Sequence, residues 1–513
     1  MILAAALGFA QTSGPALLSD HAAARFLDQA AWGPTPASIT QLQQMGIANW
    51  LSAQFALNTS DLPDQPVFGA DGKRNNNLGP VQAAFFQNAI TGQDQLRQRV
   101  AFALSEIWVV SAQSGVRQAY AYPPYWRILR DHAFGNYRDI IKAVTLNPAM
   151  GRYLNMANNN KADAAKGTAA NENYARELMQ LFTLGLRELN PDGGPVLDQN
   201  HQPVPTYDQS VVADVAKVLT GWTYPPAPGG SRKHDNKPYF IGQMYPVERN
   251  HDTSGKTIFG GTTIPAGQTA EEDLESLLDA LMEQTTMAPF VSKQLIQHLV
   301  TSNPSPGYVE RVSHVFLEDG NGVRGNMRAV ITAILTDAEA RAGDDPNAVV
   351  GSNFGHLREP VLFLANVLRG LNATVDGGNL INRYASQMGQ NLFNAPSVFS
   401  YFSPQYRTEH GLFGPEFQIY STQTAAERAD VVNGALYQVL DKTTSVNLAP
   451  FAQKAASTEG LLDYISYVFL HHSMSPALRQ AATSAANAVG TPEAKVQAAL
   501  YVALTSSEYQ IIQ

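Results

Sequence analysis

Cysteine is missing from all 513 positions of this chain. That absence removes thiolate catalysis, cysteine-ligated zinc, iron–sulfur clusters, disulfides and covalent haem together. Charge is scarce too: Asp, Glu, Lys and Arg make up 15% of the residues, against roughly 25% in ordinary soluble domains. The net charge is −9 and no run of lysine or arginine occurs, so the clustered basic surface that nucleic-acid backbones require is not there. No stretch reaches the ~18 unbroken apolar residues of a membrane span. A long chain without a single thiol fits an oxidising compartment, and with the low charge it predicts a periplasmic or secreted protein.

What is present is apolar bulk: hydrophobic residues form 44% of the chain, enough for a large core. The first residues, MILAAALGFAQTSG, carry an apolar run from Ile2 to Ala10 that ends in small side chains. Residues 1–14 read as the remnant of a secretory signal peptide without its basic start; the alternative is an ordinary first helix. Beyond them helical periodicity dominates. DQLRQRVAFALSEIWVVS sets Leu96, Val100, Ala103, Leu104, Ile107 and Trp108 on one face. TAEEDLESLLDALM opens on a capping box, Thr269 with Glu272, and Pro289 suits the first turn of the next helix. The expected fold is mainly α: one large multi-helix domain over residues 15–513, with a loop-rich insertion at about 186–265. Within that insertion a small β-hairpin is predicted, with HDTSGK as its turn.

Two motifs could carry chemistry. NENYARELMQLFTLG, residues 171–185, concentrates charge just ahead of an apolar stretch. At 3.6 residues per turn Glu172 shares a face with Arg176, and Asn173 with Glu177. One carboxylate can then be ion-paired with Arg176 while the other is free for a proton or a metal; alternatively the turn is a polar network that holds helices in register, with Arg99 or Arg187 as further members. In NHDTSGKTIFG, His251, Asp252 and Lys256 fall on one Gly-containing turn. An imidazole beside a carboxylate serves as a metal-ligand or acid–base pair; the alternative is an Asx turn in which Asp252 caps backbone amides. KHDNK, at 233–237, repeats the His-Asp pair in a loop. His471 and His472 read as a helix-end cap.

Read together, AARFLDQAAWGPTP, RQRVAFALSEIWVVS, AFGNYRDIIKAVTLNPAMGRYLN, NENYARELMQLFTLG, DVAKVLTGWT, HDTSGKTIFG, LREPVLFLANVLRGL, MGQNLFNAPSVFSYFSP and the closing LTSSEYQ resemble the landmarks of one bacterial family, domain-of-unknown-function family 1800, in order. The resemblance runs from about Ala22 to Tyr509. It implies an exported protein and, as a partner, an exported sulfatase- or phosphatase-like protein; it implies no activity. At SVFSYFSP the chain departs from the Gly-Trp pair usual in such relatives. The resemblance also brings the signature helix and the His-Asp-Gly-Lys turn into one pattern, which favours one shared pocket.

The expected function is thus an exported enzyme, hydrolytic, acting on a cell-surface or extracellular polymer. Glu172 or Glu177 would be general acid/base or metal ligand, Arg176 a charge partner, and His251 with Asp252 and Lys256 a second acid–base set. A divalent metal would be held by Glu177, His251 and Asp252. Asn173 and Trp222 are the candidate substrate contacts, Trp222 as an apolar wall or sugar platform, or else a core tryptophan. The alternative is a non-catalytic exported scaffold or partner subunit of a neighbouring enzyme; a protein with a non-covalent redox cofactor is a third.

Overall fold

The computed structural model describes residues 18–348, 350–375, 380–437, 440 and 443–513. The expected signal remnant at 1–14 lies outside the described residues. Within them the chain is mainly helical: twenty-two α-helices, with strands only as four antiparallel pairs of two residues each. A continuous cluster of buried apolar side chains takes members from Ala23 through to Ile512.

Two helices form the middle of this core. Gln95–Ile107 has every residue buried except Ser105, so the apolar face read from its sequence is buried as expected and its polar residues are drawn in as well. Pro360–Gly370 is buried at all of its positions, starts with Pro360 in the first turn, where a missing N–H is harmless, and has Glu359 as its N-cap residue. Thr269 and Glu272 form the expected reciprocal capping box at the head of Ala270–Glu283. Pro289 is the third residue of Met287–Leu299.

The region 186–265 is irregular apart from short elements, the longest being the helix Gln209–Val218. Its hairpin forms one turn later than expected. Lys256–Thr257 pairs with Thr263–Ile264, so the chain reverses through Phe259–Gly261, where Gly260 and Gly261 take positive φ. HDTSGK leads into the first strand instead of joining the two. Asp252 accounts for this: it accepts hydrogen bonds from the Ser254 N–H (2.9 Å) and hydroxyl (2.6 Å), an Asx turn that bends the chain ahead of the strand.

The two ends of the described chain are clasped together. Ile511–Ile512 pairs with His356–Leu357, and the Arg358 N–H donates to the Gln510 carbonyl at 2.7 Å. The Arg358 guanidinium grips Asp28 of the helix Asp20–Ala30 with two bonds of 2.7 and 2.8 Å, and His471 Nε2 reaches the same carboxylate at 2.9 Å. Burial pushes the Asp28 pKa up, but Arg358 and His471 overcome it and hold the group well below the usual carboxylate range. His471 and His472 both adopt positive φ, and the His472 N–H donates back to Ser466 at 2.8 Å. This pair does close a helix end, while the His471 ring also ties that end to the first helix.

Candidate acid–base site

The signature helix is Asn173–Glu177, continued by a π-helical turn over Leu178–Thr183. Arg176 Nη2 meets Glu172 Oε2 at 2.7 Å, and both bond the Gln209 amide. With side chains 44% and 33% exposed, this is a surface pair, worth little in high dielectric. Asn173 Nδ2 donates to Asn155 Oδ1 at 3.3 Å. Glu177 is half-buried with Oε2 lacking a hydrogen-bond partner. Burial pushes its pKa up against the pull of Arg176, and it lies within electrostatic reach of Tyr153 and Tyr207.

His251 and Lys256 are fully buried. The two imidazole nitrogens lie 3.0 Å from the Thr220 carbonyl oxygen and 3.0 Å from Asp273 Oδ2. Lys256 Nζ takes Asp273 Oδ2 and the Asp252 carbonyl, each at 2.5 Å. Asp252 itself caps its turn. Asp273, unread in the sequence, is thus the anion around which this cluster forms. No hydrogen bond among those of the described residues joins Glu172, Arg176 or Glu177 to His251. Glu172 and Arg176 bind at Gln209, where the Gln209–Val218 helix opens, whereas His251 binds at Thr220, just past its end, about 16 Å away along the axis. Glu177, His251 and Asp252, the expected metal ligands, each have other surroundings, and among the described residues no three His, Asp or Glu side chains are grouped to hold a metal ion. Trp222 is buried, with its carbonyl accepting from the Asn158 N–H at 2.7 Å; it is a core tryptophan and offers no platform. His234 and Asp235 pair at 2.7 Å in an exposed loop. Arg187 reaches the Pro203 carbonyl and Arg99 belongs elsewhere.

Arg99 belongs to a buried polar cluster that draws on four segments of the chain. Glu106 and Arg99 lie seven apart on the buried helix Gln95–Ile107, two turns along one stripe. Glu359 heads the buried helix Pro360–Gly370 without capping it. Gln390 joins the two acids: Nε2 donates to Glu106 Oε1 at 3.1 Å and to Glu359 Oε2 at 2.5 Å. Its orientation is set because Oε1 accepts the Val361 N–H at 2.8 Å. His298 Nδ1 is 3.2 Å from Glu106 Oε2, and His356 Nδ1 is 3.1 Å from Glu416 Oε1. Arg99, buried completely, donates from Nη2 to the His298 carbonyl.

One guanidinium therefore faces three carboxyl groups, Glu106, Glu359 and Glu416, in a dry interior. Asp28 is also within its field but is taken by Arg358. Charges of one sign cannot accumulate there, so protons are held on Glu106 and Glu359. Burial raises Glu106 to about 8, with Glu359 as hydrogen-bond partner and Arg99 opposing the rise. Burial, then repulsion from Glu106, holds Glu359 well above its usual range. Burial lowers His298 below its ordinary value, which favours a neutral imidazole. Three buried polar atoms of this cluster have no hydrogen-bond partner among the described residues: Arg99 Nε and Nη1 and His356 Nε2. In interiors more than about 90% of such atoms are satisfied, so the three are exceptions that this cluster shares.

Sequence reasoning missed this centre although its segments were in view. RQRVAFALSE shows Arg99 and Glu106 on one helical stripe amid apolar residues, and HLREP shows three titratable groups before an apolar helix. That signal was available; the pairing of segments more than 200 residues apart was not.

A small cavity of about 30 Å³ adjoins the centre. Its walls include Phe102 and Ser105 from the Glu106 helix, Trp126, and Phe393, Ser400 and Tyr401 from the loop after Gln390. Tyr401 lies within electrostatic reach of Glu106 and Glu359.

The sequence profile of the family described as "Protein of unknown function (DUF1800)" matches residues 25–511, and the chain belongs to that family. Searches of curated proteins and of solved structures gave no match.

Proposed function

We propose that this protein is an exported hydrolytic enzyme whose proton-transfer centre is the Glu106–Glu359 pair. The observation that carries the proposal is the pair itself: two buried carboxyl groups on one Gln390 amide, beside a single fixed cation. Such a pair holds one proton between two acids, because like charges at this range cannot both ionise. It can donate that proton to a leaving group and take one from water, the two transfers a hydrolysis needs. Arg99 holds a constant positive charge beside the pair and favours the ionised form of whichever acid gives up its proton. Export and an extracellular or cell-surface substrate are supported by the lack of thiols and the low charge content of the sequence.

The test is release of product from isolated cell-envelope polymers by the full chain, compared with Glu106→Gln and Glu359→Gln. The amide keeps the shape of a protonated acid, so both variants are expected to fold and melt as the parent does while losing turnover. Full turnover in either variant removes the pair from the chemistry. The near-complete burial of Glu359, 2% exposed, favours a second reading, a non-catalytic partner subunit in which the pair sets helix register; it predicts that both substitutions lower the melting temperature.

A further inference from the structure

The cavity beside the pair has properties that ordinary packing leaves unexplained. About 30 Å³ is room for roughly two waters, or a guest of about three heavy atoms. Its tyrosine hydroxyls are already committed: Tyr122 donates to the Val116 carbonyl, Tyr125 to Trp108 and Tyr401 to Asn391, at 2.8, 2.6 and 2.7 Å. Ser105 is likewise spent on the Phe102 carbonyl at 2.7 Å. Most of the wall is apolar, from Phe102, Val109, Leu129, Leu392, Phe393 and Ala395. Two lining donors make no hydrogen bond among the described residues: the Ser400 hydroxyl and the Trp126 indole N–H, the latter buried without a partner. Trp32, Trp108 and Trp222 share that condition, but Trp126 is the one among them that lines this cavity.

The wall opposite is strained. Phe393 has φ 64° and Ser400 φ 63°, a region that bulky side chains rarely enter. Two such residues on a single loop, both against one cavity, show a wall held in shape by its surroundings. Strain of this kind gathers at ligand clamps.

We infer that this cavity is the seat of a small acyl group, an acetyl or acetamido unit whose methyl fills the apolar end and whose carbonyl accepts from the Trp126 N–H. The inference rests on the acid–base reading above and sharpens it: the substrate class is acetylated, and the loop 393–401 selects against longer acyl chains because the space ends after about three heavy atoms. Glu106 and Glu359 are not in the cavity wall; the link to them is Tyr401, which lines the seat and lies within electrostatic reach of both acids.

The experiment is 19F NMR of the full chain labelled with 5-fluorotryptophan, five tryptophans in all, with Trp126 assigned by its disappearance in Trp126→Phe. Titration with acetamide is expected to move the Trp126 signal saturably, and benzamide, too large for the space, to leave it in place. Ala395→Leu, which fills the cavity from its wall, is expected to weaken acetamide binding at least tenfold. A Trp126 signal that acetamide does not move, or that moves equally with benzamide, overturns the inference without any variant having to fold. Glu106→Gln separates the two claims: acetamide binding kept with turnover lost supports both, binding kept with turnover kept refutes the acid–base reading alone, and no binding in the parent refutes the acyl seat alone.

Discussion

Two buried charge clusters in this molecule are built from similar parts and finished differently. Around Asp273, one ammonium from Lys256 meets one carboxylate, the imidazole of His251 fills the remaining side, and Asp273 Oδ1 is the one atom of the three side chains left without a partner. Around Glu106, one guanidinium meets three carboxyl groups, and Arg99 Nε and Nη1 and His356 Nε2 are left without partners. Matched charge makes the first a closed clamp that joins the 251–256 turn to the helix Ala270–Glu283. Excess acid makes the second a proton store. Burial alone does not mark function; the mismatch between cations and acids does.

That contrast can be broken at several points. The largest effect is expected at the clamp: Lys256→Met strands Asp273 as an uncompensated buried anion and should cost about 3–5 kcal/mol in chemical denaturation, while adding Asp273→Leu should restore most of it. A cost below ~1 kcal/mol would mean that the clamp is not closed by charge. At the acid pair, Glu106→Gln should lower any turnover by about 10²–10⁴-fold with the denaturation midpoint nearly unchanged.

The third expectation concerns pH. The Glu106 pKa is raised from 4.5 to about 8 on folding, so between those values the folded state holds a proton that the unfolded state has released. Its contribution to stability is full below about pH 4.5 and is lost as pH rises through about 8, with a slope of up to about 1.4 kcal/mol per unit. His298 and His471, whose pKa values burial lowers, act oppositely, weakening the fold as pH falls below about 6.5. The Glu106 share is therefore read as parent minus Glu106→Gln in stability curves from pH 4 to 9. Parallel curves would leave the pair without its proton. The smallest effect belongs to the surface: Glu172→Ala should change stability by only about 0.3–0.5 kcal/mol, and a cost of several kcal/mol would restore the signature helix as a charged core element.

These expectations also show where sequence sufficed. Helices were legible because burial follows a 3.6-residue period, as in Gln95–Ile107, and because caps such as Thr269 with Glu272 are local chemistry. The Glu172–Arg176 bond was legible for the same reason, since four residues of helix fix the geometry. The hairpin was misplaced by one turn because Asp252 had two local uses and the Asx turn prevailed. The acid pair could not be read, since Glu106, Glu359 and Gln390 meet only after helices from distant parts of the chain have packed. Charge density drew attention to residues 172–177, yet charge at high density is what water tolerates best; Arg99 and Glu106, sparse among apolar neighbours, were the costlier and more informative residues.

The short pairing of Ile511–Ile512 with His356–Leu357 acts as a latch on the proton store. Glu359 hangs two residues beyond that pairing and owes its position to it, together with the Arg358 grip on Asp28. A substitution such as Ile512→Pro, which removes a bond of that pairing, should loosen the segment that carries one of the two acids. Preparations differing only at that end should therefore differ in how readily the pair gives up its proton.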